Sequence, residues 1–434
     1  MFHRIAAFAS CWLLAGFSVA EDWPQWRGVN RDAVLSDERI PASIAEGTVT
    51  LQWRTAIGPG YSGPTVADRY VYVTDRGPND AKTEIERVLC LDAQGGDLVW
   101  KHEYPAPYSI GYRAGPRASV TVHEGAAYSI GAMGHFVCLD AATGAVRWNR
   151  DLNEQYAIDM PIWGITASPL VYRDLVIQIV GGRDAACVVA FDRASGQERW
   201  RALGDRAGYS SPILMQQGGQ DVVVCWTGDS VSGLDPMTGK VFWRVAMKPR
   251  NMPIGVPTPV VQGDKLFVSS FYDGSLLIQI DPNRPAAKQV WRRIGIDEKN
   301  TDALHCMIST PLIKGNHIYG TDSYGELRCL KLENGDRVWE DLTVVPRNRW
   351  ATIHTFQIGD REILFNDQGE LIFGRLSPEG FEVASRSTLL DRTTKQLNRR
   401  GGVTWAHPAI ANGIIYARND NEIVAASLME SAAR

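Results

Sequence analysis

The stretch CLDAATGAVRW, residues 138–148, decides the fold because near-copies of it recur along the chain. Four well-kept copies occupy residues 90–100, 190–200, 233–243 and 329–339, and a decayed copy at 279–291 keeps the Asp and the Trp but loses the Gly. The tryptophans of this series stand at positions 53, 100, 148, 200, 243, 291 and 339. A period of roughly 48 residues, held along most of a chain, indicates a repeat architecture.

Each repeat contains four short apolar runs separated by turn residues, as in residues 167–200. Such a unit predicts one antiparallel sheet of four strands, and about 45 residues per sheet is typical of a β-propeller blade. Where a copy keeps these residues, the Asp is expected to accept backbone N–H groups, the Gly to be left-handed, and the Trp to pack on the neighbouring blade. Lys331 stands at the Asp position of the copy at 329–339. Asp140 and its equivalents are therefore predicted to be structural and not catalytic.

The number of repeats predicts the number of blades. Eight segments each open a run of three strands, beginning near Pro64, Ser119, Pro169, Pro212, Pro259, Pro311, Phe356 and Pro408. The last run, 407–428, has no outer strand of its own, whereas residues 47–53 form an outer strand with no inner ones before it. Pairing of the two would close the ring and cover its open edges. We therefore predict an all-β fold: an eight-bladed β-propeller of four-stranded antiparallel blades over residues 47–434, in which strand 47–53 completes the last blade.

The N-terminus predicts export. A basic pair at positions 3 and 4, an apolar run and small residues at 18 and 20 form the pattern of a signal peptide over residues 1–20. No later run reaches the roughly 18 apolar residues of a membrane helix, so we expect a periplasmic or extracellular protein without a membrane span. Residues 21–46 are predicted to form a strap in which Trp23 and Trp26 pack across the propeller. A partner-docking peptide is the alternative for this segment.

Charge and cysteines narrow the function further. The formal net charge is −4, without the block of basic residues that follows a phosphate backbone, so nucleic acid is not expected as a partner. Six cysteines remain after the signal peptide, and an exported protein could pair them. Equivalent positions on packed blades lie roughly 10 Å apart, beyond the roughly 7 Å that a disulfide spans. Buried free thiols are therefore predicted for Cys90, Cys138, Cys187, Cys225, Cys306 and Cys329.

The repeat LDAATGAVRW (139–148) resembles that of the PQQ-like β-propellers, which are related to the pyrroloquinoline quinone (PQQ) dehydrogenases. DWPQWRGVNRDAV (22–34) is similar to the opening of exported PQQ-like repeat proteins of planctomycetes and related bacteria, with departures at Val29 and Ala33. The resemblance implies either a quinoprotein dehydrogenase or a non-catalytic propeller such as the lipoprotein of the outer-membrane barrel-assembly machinery. For the dehydrogenases it implies calcium held by an acidic residue and an amide, a catalytic Asp, and often a disulfide between adjacent cysteines. This chain has no adjacent cysteines, and none of those residues can be carried over to it.

A binding site is expected on the face opposite the Asp…Gly turns, where loops enter the first strand of each blade. Loops on a rigid scaffold are where binding residues concentrate. These loops carry the residues of a candidate funnel: Arg113, Arg117, Trp163, His305, His354, Trp405 and His407. Aromatic walls with a few cations suit a planar or anionic ligand. Three alternatives remain open: the side chains plug the channel, the three histidines hold a metal ion, or a quinone binds in the funnel.

The sequence supports two functions. The first is an exported, non-catalytic propeller that binds a protein, a glycan or a small ligand on its funnel face, with no cofactor and no metal ion. The alternative is a quinoprotein oxidoreductase of the alcohol- or sugar-dehydrogenase type, which would need PQQ and calcium. No nucleophile motif such as G-x-S-x-G favours a hydrolase.

Overall fold

Asp140 ends the third strand of a sheet, and the turn after it leads into the fourth strand. Its Oδ1 accepts hydrogen bonds from the backbone N–H groups of Ala142 (3.2 Å) and Thr143 (3.0 Å). Gly144 completes the turn with a φ of 72°, a left-handed conformation that side chains resist. Hydrogen bonds from Arg147 and from Thr143 lower the pKa of Asp140 to about 2. The carboxylate is engaged within its own turn, as the sequence predicts.

The computed structural model describes residues 22–44, 49–77, 84–399 and 401–429, so the predicted signal peptide lies outside the described residues. Within them the strands form eight sheets, numbered here as blades along the chain. Blades 1 to 4 consist of Thr65–Ala67, Tyr70–Arg76, Ile85–Asp92 and Leu98–Pro105; Thr121–His123, Ala126–Ile130, His135–Asp140 and Val146–Asp151; Leu170–Tyr172, Leu175–Ile179, Val188–Asp192 and Glu198–Ala202; and Ile213–Gln217, Gln220–Trp226, Ser230–Leu234 and Val241–Ala246. Blades 5 to 8 consist of Val260–Gln262, Lys265–Ser270, Gly274–Ile280 and Ala287–Arg293; Leu312–Lys314, His317–Thr321, Leu327–Lys331 and Arg337–Asp341; Ile353–Ile358, Arg361–Asn366, Glu370–Ser377 and Gly380–Thr388; and Ala409–Ala411, Ile414–Arg418, Glu422–Ser427 and Thr50–Ala56. The eight-bladed, four-stranded propeller predicted from the repeats is confirmed.

The ring closes where the sequence predicts. Thr50–Ala56 pairs antiparallel with Glu422–Ser427 and so supplies the outer strand of blade 8. The predicted strand was 47–53, of which residues 47 and 48 lie outside the described residues. Blade 7 differs from the prediction in one respect, because Val34–Leu35 adds a short parallel strand to its inner edge.

The tryptophan of one blade packs on the turn of the next blade. Trp148 is 7% exposed, and its Nε1–H donates to the carbonyl of Arg193 at 2.9 Å. Gly196 of that next turn has a φ of 68°, and a Cβ there would stand 2.6 Å from the ring of Trp148. The same donation to the next blade's turn is made by Trp53, Trp100, Trp200, Trp291 and Trp339. The repeated Gly is therefore needed both for the left-handed turn and for the close packing of the preceding blade's Trp on that turn. We call this Trp the wedge between two blades.

Replacement of Gly196 by alanine is expected to lower the free energy of unfolding by about 2 kcal/mol, because left-handed strain adds to overpacking against Trp148. Gly219 is the matched control, since it has a φ of 73° but no heavy atom within 4 Å of the added Cβ. Gly219→Ala should cost only the backbone strain, about 1 kcal/mol. Urea unfolding of both variants measures the difference, and equal losses would contradict the wedge.

Within residues 22–44, the described part of the predicted strap, the stretch 23–35 lies along the first strands of blades 1, 2 and 7. Trp23 exchanges backbone hydrogen bonds with Val66 of blade 1 at 2.9 and 2.8 Å, and Pro24 accepts from Val122 of blade 2 at 2.8 Å. Val34–Leu35 pairs with the first strand of blade 7. Because the first strand is the innermost strand of every blade, residues 23–35 lie in the central channel. The segment then leaves the channel, since the backbone N–H of Ile44 donates to Ser385 on the outer strand of blade 7 at 3.0 Å.

Arg31 anchors this segment to blades 3 and 4. Its guanidinium group donates to the carbonyl of Pro212 at 2.9 Å, to that of Ser168 at 3.2 Å, and to that of Pro169. Burial lowers the pKa of Arg31 to about 9, so the group remains a cation at neutral pH. Three carbonyl acceptors from two blades meet on this one buried side chain.

The cysteines and the helix content complete the fold. The six cysteines of the described chain are buried and free, as predicted. The described residues include one short helix, Leu152–Tyr156, capped by Asp151. Within those same ranges no helix is both long and apolar enough to cross a membrane.

Candidate functional site

The side chains at one position of the repeat form nearly half of the lining of a cavity. The cavity lies on the funnel face, the face opposite the Asp…Gly turns. Three residues before the proline that opens a blade, the chain places one side chain per blade; in blade 2, Val120 stands at the position of the proline. In seven of the eight blades that side chain lines the same cavity: Tyr61, Arg117, Thr166, Tyr209, Val256, Ile308 and Trp405. The radial symmetry of the propeller therefore converts one repeat position into a ring.

We call this space the funnel cavity. It contains about 870 Å³ of empty space, counting the part open to solvent. The rest of its lining is Trp26, Tyr112, Trp163, Ser168, Ser211, Met307, Trp350 and His407. Aromatic and aliphatic side chains dominate, and no carboxylate is among the lining residues.

The aromatic side chains of the funnel cavity hold one another in place. The ring centroid of Tyr112 lies 5.9 Å from that of Trp163, 5.9 Å from that of Trp350 and 6.5 Å from that of Trp405. Trp163 also lies 5.0 Å from Tyr209. Tilted and edge-on pairs at these distances are favourable, so the walls are preformed.

Hydroxyl groups at the narrow end of the cavity join adjacent blades. Ser168 Oγ accepts from the backbone N–H of Ser119 at 3.0 Å, and Ser211 Oγ accepts from that of Ser168 at 2.9 Å. Thr258 Oγ1 accepts from the indole N–H of Trp26 at 2.8 Å. These hydroxyls are committed to holding the ring and the N-terminal segment together.

Arg117 is the cation of the funnel cavity. It is partly buried, donates to the carbonyl of Gly111 at 2.8 Å and to two further backbone carbonyls, and lies over the ring of Tyr61, 4.9 Å from its centroid. Burial lowers its pKa. Arg113 behaves differently, because its exposed side chain pairs with Glu84 at 2.7 Å and lies outside the lining.

His354 and His407 form a buried pair whose ring centroids are 4.7 Å apart. The hydrogen-bond pattern assigns the protons: His354 Nε2 donates to the carbonyl of Trp405 at 2.9 Å, and His407 Nδ1 donates to that of Pro408 at 2.6 Å. His407 Nε2 then faces Arg27 Nη1 at 3.4 Å. Burial lowers the pKa of His354 to about 4 and that of His407 well below its ordinary value. Both rings are neutral at neutral pH.

The third predicted histidine lies elsewhere. His305 is fully buried, donates from Nδ1 to the carbonyl of Phe271 at 2.9 Å and accepts at Nε2 from the N–H of Gly295 at 3.0 Å. Within the described residues no group of three His, Cys, Asp or Glu side chains could hold a metal ion. The hypothesis of a three-histidine metal site is therefore wrong.

Of the seven residues predicted for the funnel, four line the cavity and three do not. Arg117, Trp163, Trp405 and His407 line the cavity, whereas His354 packs behind His407, and Arg113 and His305 lie outside the lining. Tyr61 and Tyr209 were missed, although each stands three residues before a blade-opening proline. Trp26 could not be found in this way, because it precedes the repeats.

An eight-bladed ring of PQQ-like repeats with a central funnel defines the class: a PQQ-like β-propeller. A model of the family described as outer membrane protein assembly factor BamB matches residues 84–341 and 300–433. The chain belongs to this family.

Known proteins of two kinds share the fold. The outer membrane protein assembly factor BamB of Shewanella oneidensis is 23% identical over 266 residues, which are 58% of this chain and 62% of that protein. BamB from Moraxella catarrhalis, at 16% identity, has a TM-score of 0.58 over 88% of this chain and 100% of that one. Quinohemoprotein alcohol dehydrogenase from Comamonas testosteroni, at 14% identity, has a TM-score of 0.64 over 95% of this chain and 81% of that one. At such identities the solved structures establish the fold alone.

Proposed function

We propose that this chain is an exported, non-catalytic β-propeller that binds its ligand or partner through the funnel face. The funnel cavity is the observation that carries the proposal, since it is open, preformed and lined by aromatic side chains. Its polar groups are unsuited to catalysis. The imidazole of His407 is neutral with both nitrogens engaged, and the serine hydroxyls hold backbone N–H groups.

Export and a protein partner belong to the same proposal. Residues 1–20 carry the signal-peptide pattern, and the relative from Shewanella oneidensis is named as an assembly factor of the outer membrane. Together they support a periplasmic or extracellular chain that binds another protein. A glycan or a small molecule remains an alternative occupant of the funnel face.

The residues present do not fit PQQ with calcium. Calcium takes six to eight oxygen ligands, with carboxylates prominent among them, and none of the described residues that line the funnel cavity carries a carboxylate. Arg117, the cation among the described lining residues, is largely engaged with backbone carbonyls. The likeness to the quinohemoprotein dehydrogenase is therefore a likeness of fold and does not extend to its reaction.

Addition of PQQ and calcium to the purified protein tests the non-catalytic part of the proposal. We expect no retained quinone absorption after gel filtration and no dye-linked oxidation of alcohols or sugars. Bound quinone together with turnover would establish the quinoprotein alternative.

A cavity-filling variant tests the binding part. Val256 lines the cavity and is only partly buried, so Val256→Trp should fill the space with little loss of stability. Saturation-transfer NMR with aromatic, sugar and peptide probes is expected to show contacts that this variant abolishes. Val290→Trp, on the exposed outer strand of the same blade, is the matched control. Identical spectra for wild type and Val256→Trp would overturn the proposal.

A further inference from the structure

Both ends of the channel segment, residues 23–35, lie at the same mouth of the central channel. Just before it, Asp22 accepts a hydrogen bond at 3.1 Å from the backbone N–H of Asp68, in the turn between the first two strands of blade 1. At its other end Val34–Leu35 pairs with residues 357 and 358, where the first strand of blade 7 ends. Both places lie on the side of the Asp…Gly turns. The segment therefore enters and leaves on that side and can withdraw without threading through the ring.

The middle of the channel segment reaches the funnel cavity. Trp26 lines this cavity, and its indole N–H donates to Thr258 at 2.8 Å. Its ring centroid lies 5.2 Å from that of His407, which lines the same cavity. The segment thus lies between the funnel cavity and the mouth of the channel on the turn side.

His407 is enclosed partly by the channel segment and partly by the propeller. The segment contributes Trp23, whose ring centroid lies 6.2 Å away, and Arg27, whose Nη1 lies 3.4 Å from Nε2. Blade 7 contributes His354 and Phe356, with ring centroids 4.7 and 4.9 Å away. Without the segment, the two imidazoles would face an open channel.

The charged group that faces both imidazoles is a cation. Arg27 is 4% exposed and acts on His354 and on His407, whereas no carboxylate of the described residues acts on either ring. The carboxylate that acts on Arg27 belongs to Asp32, which is exposed. Arg27 Nε is buried without a hydrogen-bond partner within the described residues, so the cation is held at a cost in free energy. A proton on either imidazole would add a second buried positive charge beside it.

We propose that the channel segment is an acid-operated plug, which closes the central channel at neutral pH and withdraws towards the turn side when His354 and His407 are protonated. Withdrawal lets water solvate both imidazolium groups and separates them from Arg27. It also removes Trp26 from the funnel cavity, which then opens to both faces of the ring. Such a plug operates whatever ligand the funnel cavity takes.

Proton linkage gives the direction and the size of the response. In the closed state the pKa of His354 is about 4, whereas a solvated histidine has a pKa of about 6.5. The withdrawn state therefore binds more protons below pH 6.5, and the equilibrium constant for withdrawal rises as the pH falls. His354 alone should raise this constant about twentyfold between pH 7 and pH 5. His407, whose pKa is lowered well below its ordinary value, should raise it further in the same direction.

Hydrogen exchange of the full mature chain at pH 7 and pH 5, corrected for the intrinsic exchange rate, measures withdrawal. The reporters are the backbone N–H groups of Trp23, Val66 and Val122, which hydrogen-bond between the segment and the propeller. Their protection should fall about twentyfold or more at pH 5. Val223, in a strand of blade 4 that is paired on both sides, should keep its protection. An equal loss at Val223 would indicate global unfolding and overturn the plug, as would unchanged protection of the three reporters.

Histidine variants assign the protons. His354→Gln keeps an N–H donor for the carbonyl of Trp405 and should remove about twentyfold of the acid response, and His407→Gln should remove the other part. His123→Gln is the matched control, because that side chain is 42% exposed, and it should keep the full response. Should His407→Gln fail to fold, His354→Gln decides the question. A full acid response in His354→Gln would overturn the plug.

Discussion

Replacement of Trp148 by alanine is expected to lower the free energy of unfolding by about 3–5 kcal/mol. The indole is 7% exposed, packs 5.2 Å from Phe136 between ring centroids, and donates to the carbonyl of Arg193 in the next blade. Its removal leaves a cavity between blades 2 and 3 and removes one of the two donors to that carbonyl, the other being the hydroxyl of Tyr128 at 3.3 Å. The cavity cannot close locally because the blades are held in a closed ring. Chemical denaturation of the two proteins under identical conditions measures the effect.

Trp339 provides a graded control for this prediction. It occupies the same repeat position and donates to Ser377 of blade 7 at 2.9 Å, but its side chain is only partly buried. Trp339→Ala should therefore cost distinctly less than Trp148→Ala. A Trp148→Ala variant as stable as wild type would show that the wedge does not hold the blades together.

The repeat made the architecture predictable. The eight segments that each open a run of three strands yield the number of blades, whereas the tryptophan series has seven members and none in blade 7. The outer strand 47–53, which has no inner strands before it, yields the ring closure. Asp140 could be identified as structural for the same reason: a side chain that recurs in most copies, with Lys331 as the exception in 329–339, does not mark a single site. Its hydrogen bonds to Ala142 and Thr143 agree.

The funnel cavity was predictable only in part. Loop composition located the correct face and four lining residues, including Arg117 and Trp405, but composition does not order residues along a loop. The position three before the blade-opening proline does order them, and it would have added Tyr61 and Tyr209. His305 was predicted from its residue type alone. It does not stand three residues before a blade-opening proline, and its ring hydrogen-bonds to the backbone of Phe271 and Gly295.

The burial of the N-terminal arginines in the central channel could not be predicted from the repeat. Arg27 and Arg31 lie outside every copy, and arginines in a polar segment are ordinarily expected at the surface. Their burial depends on carbonyl and imidazole acceptors from several blades, among them Pro212 and His407. Those acceptors meet only when the ring is closed, so the segment and the propeller stabilise each other.

The two buried histidines beside Arg27, His354 and His407, make the stability of the protein sensitive to acid. His354 is neutral in the folded protein, where burial lowers its pKa to about 4. The hydrogen bond to the carbonyl of Trp405 opposes this shift, and the charge of Arg27 adds a smaller lowering of the pKa. In the unfolded chain a histidine has a pKa of about 6.5. Between these values the unfolded state binds more protons than the folded state, so stability is lost as the pH falls from about 6.5 towards 4. His407, whose ring faces His354 and Arg27, adds to the loss in the same direction.

We expect His354 alone to contribute about 2 kcal/mol of lost stability between pH 7 and pH 5. His354→Gln keeps an N–H donor for the carbonyl of Trp405 but cannot titrate, so its free energy of unfolding should fall by about 2 kcal/mol less than that of wild type over this interval. His123→Gln, at a side chain that is 42% exposed, should retain the wild-type dependence. Urea unfolding at pH 7 and pH 5 supplies all six values. If His354→Gln and wild type lose the same stability, the acid sensitivity must arise elsewhere, and the neutral histidine pair at the floor of the funnel would be the wrong explanation.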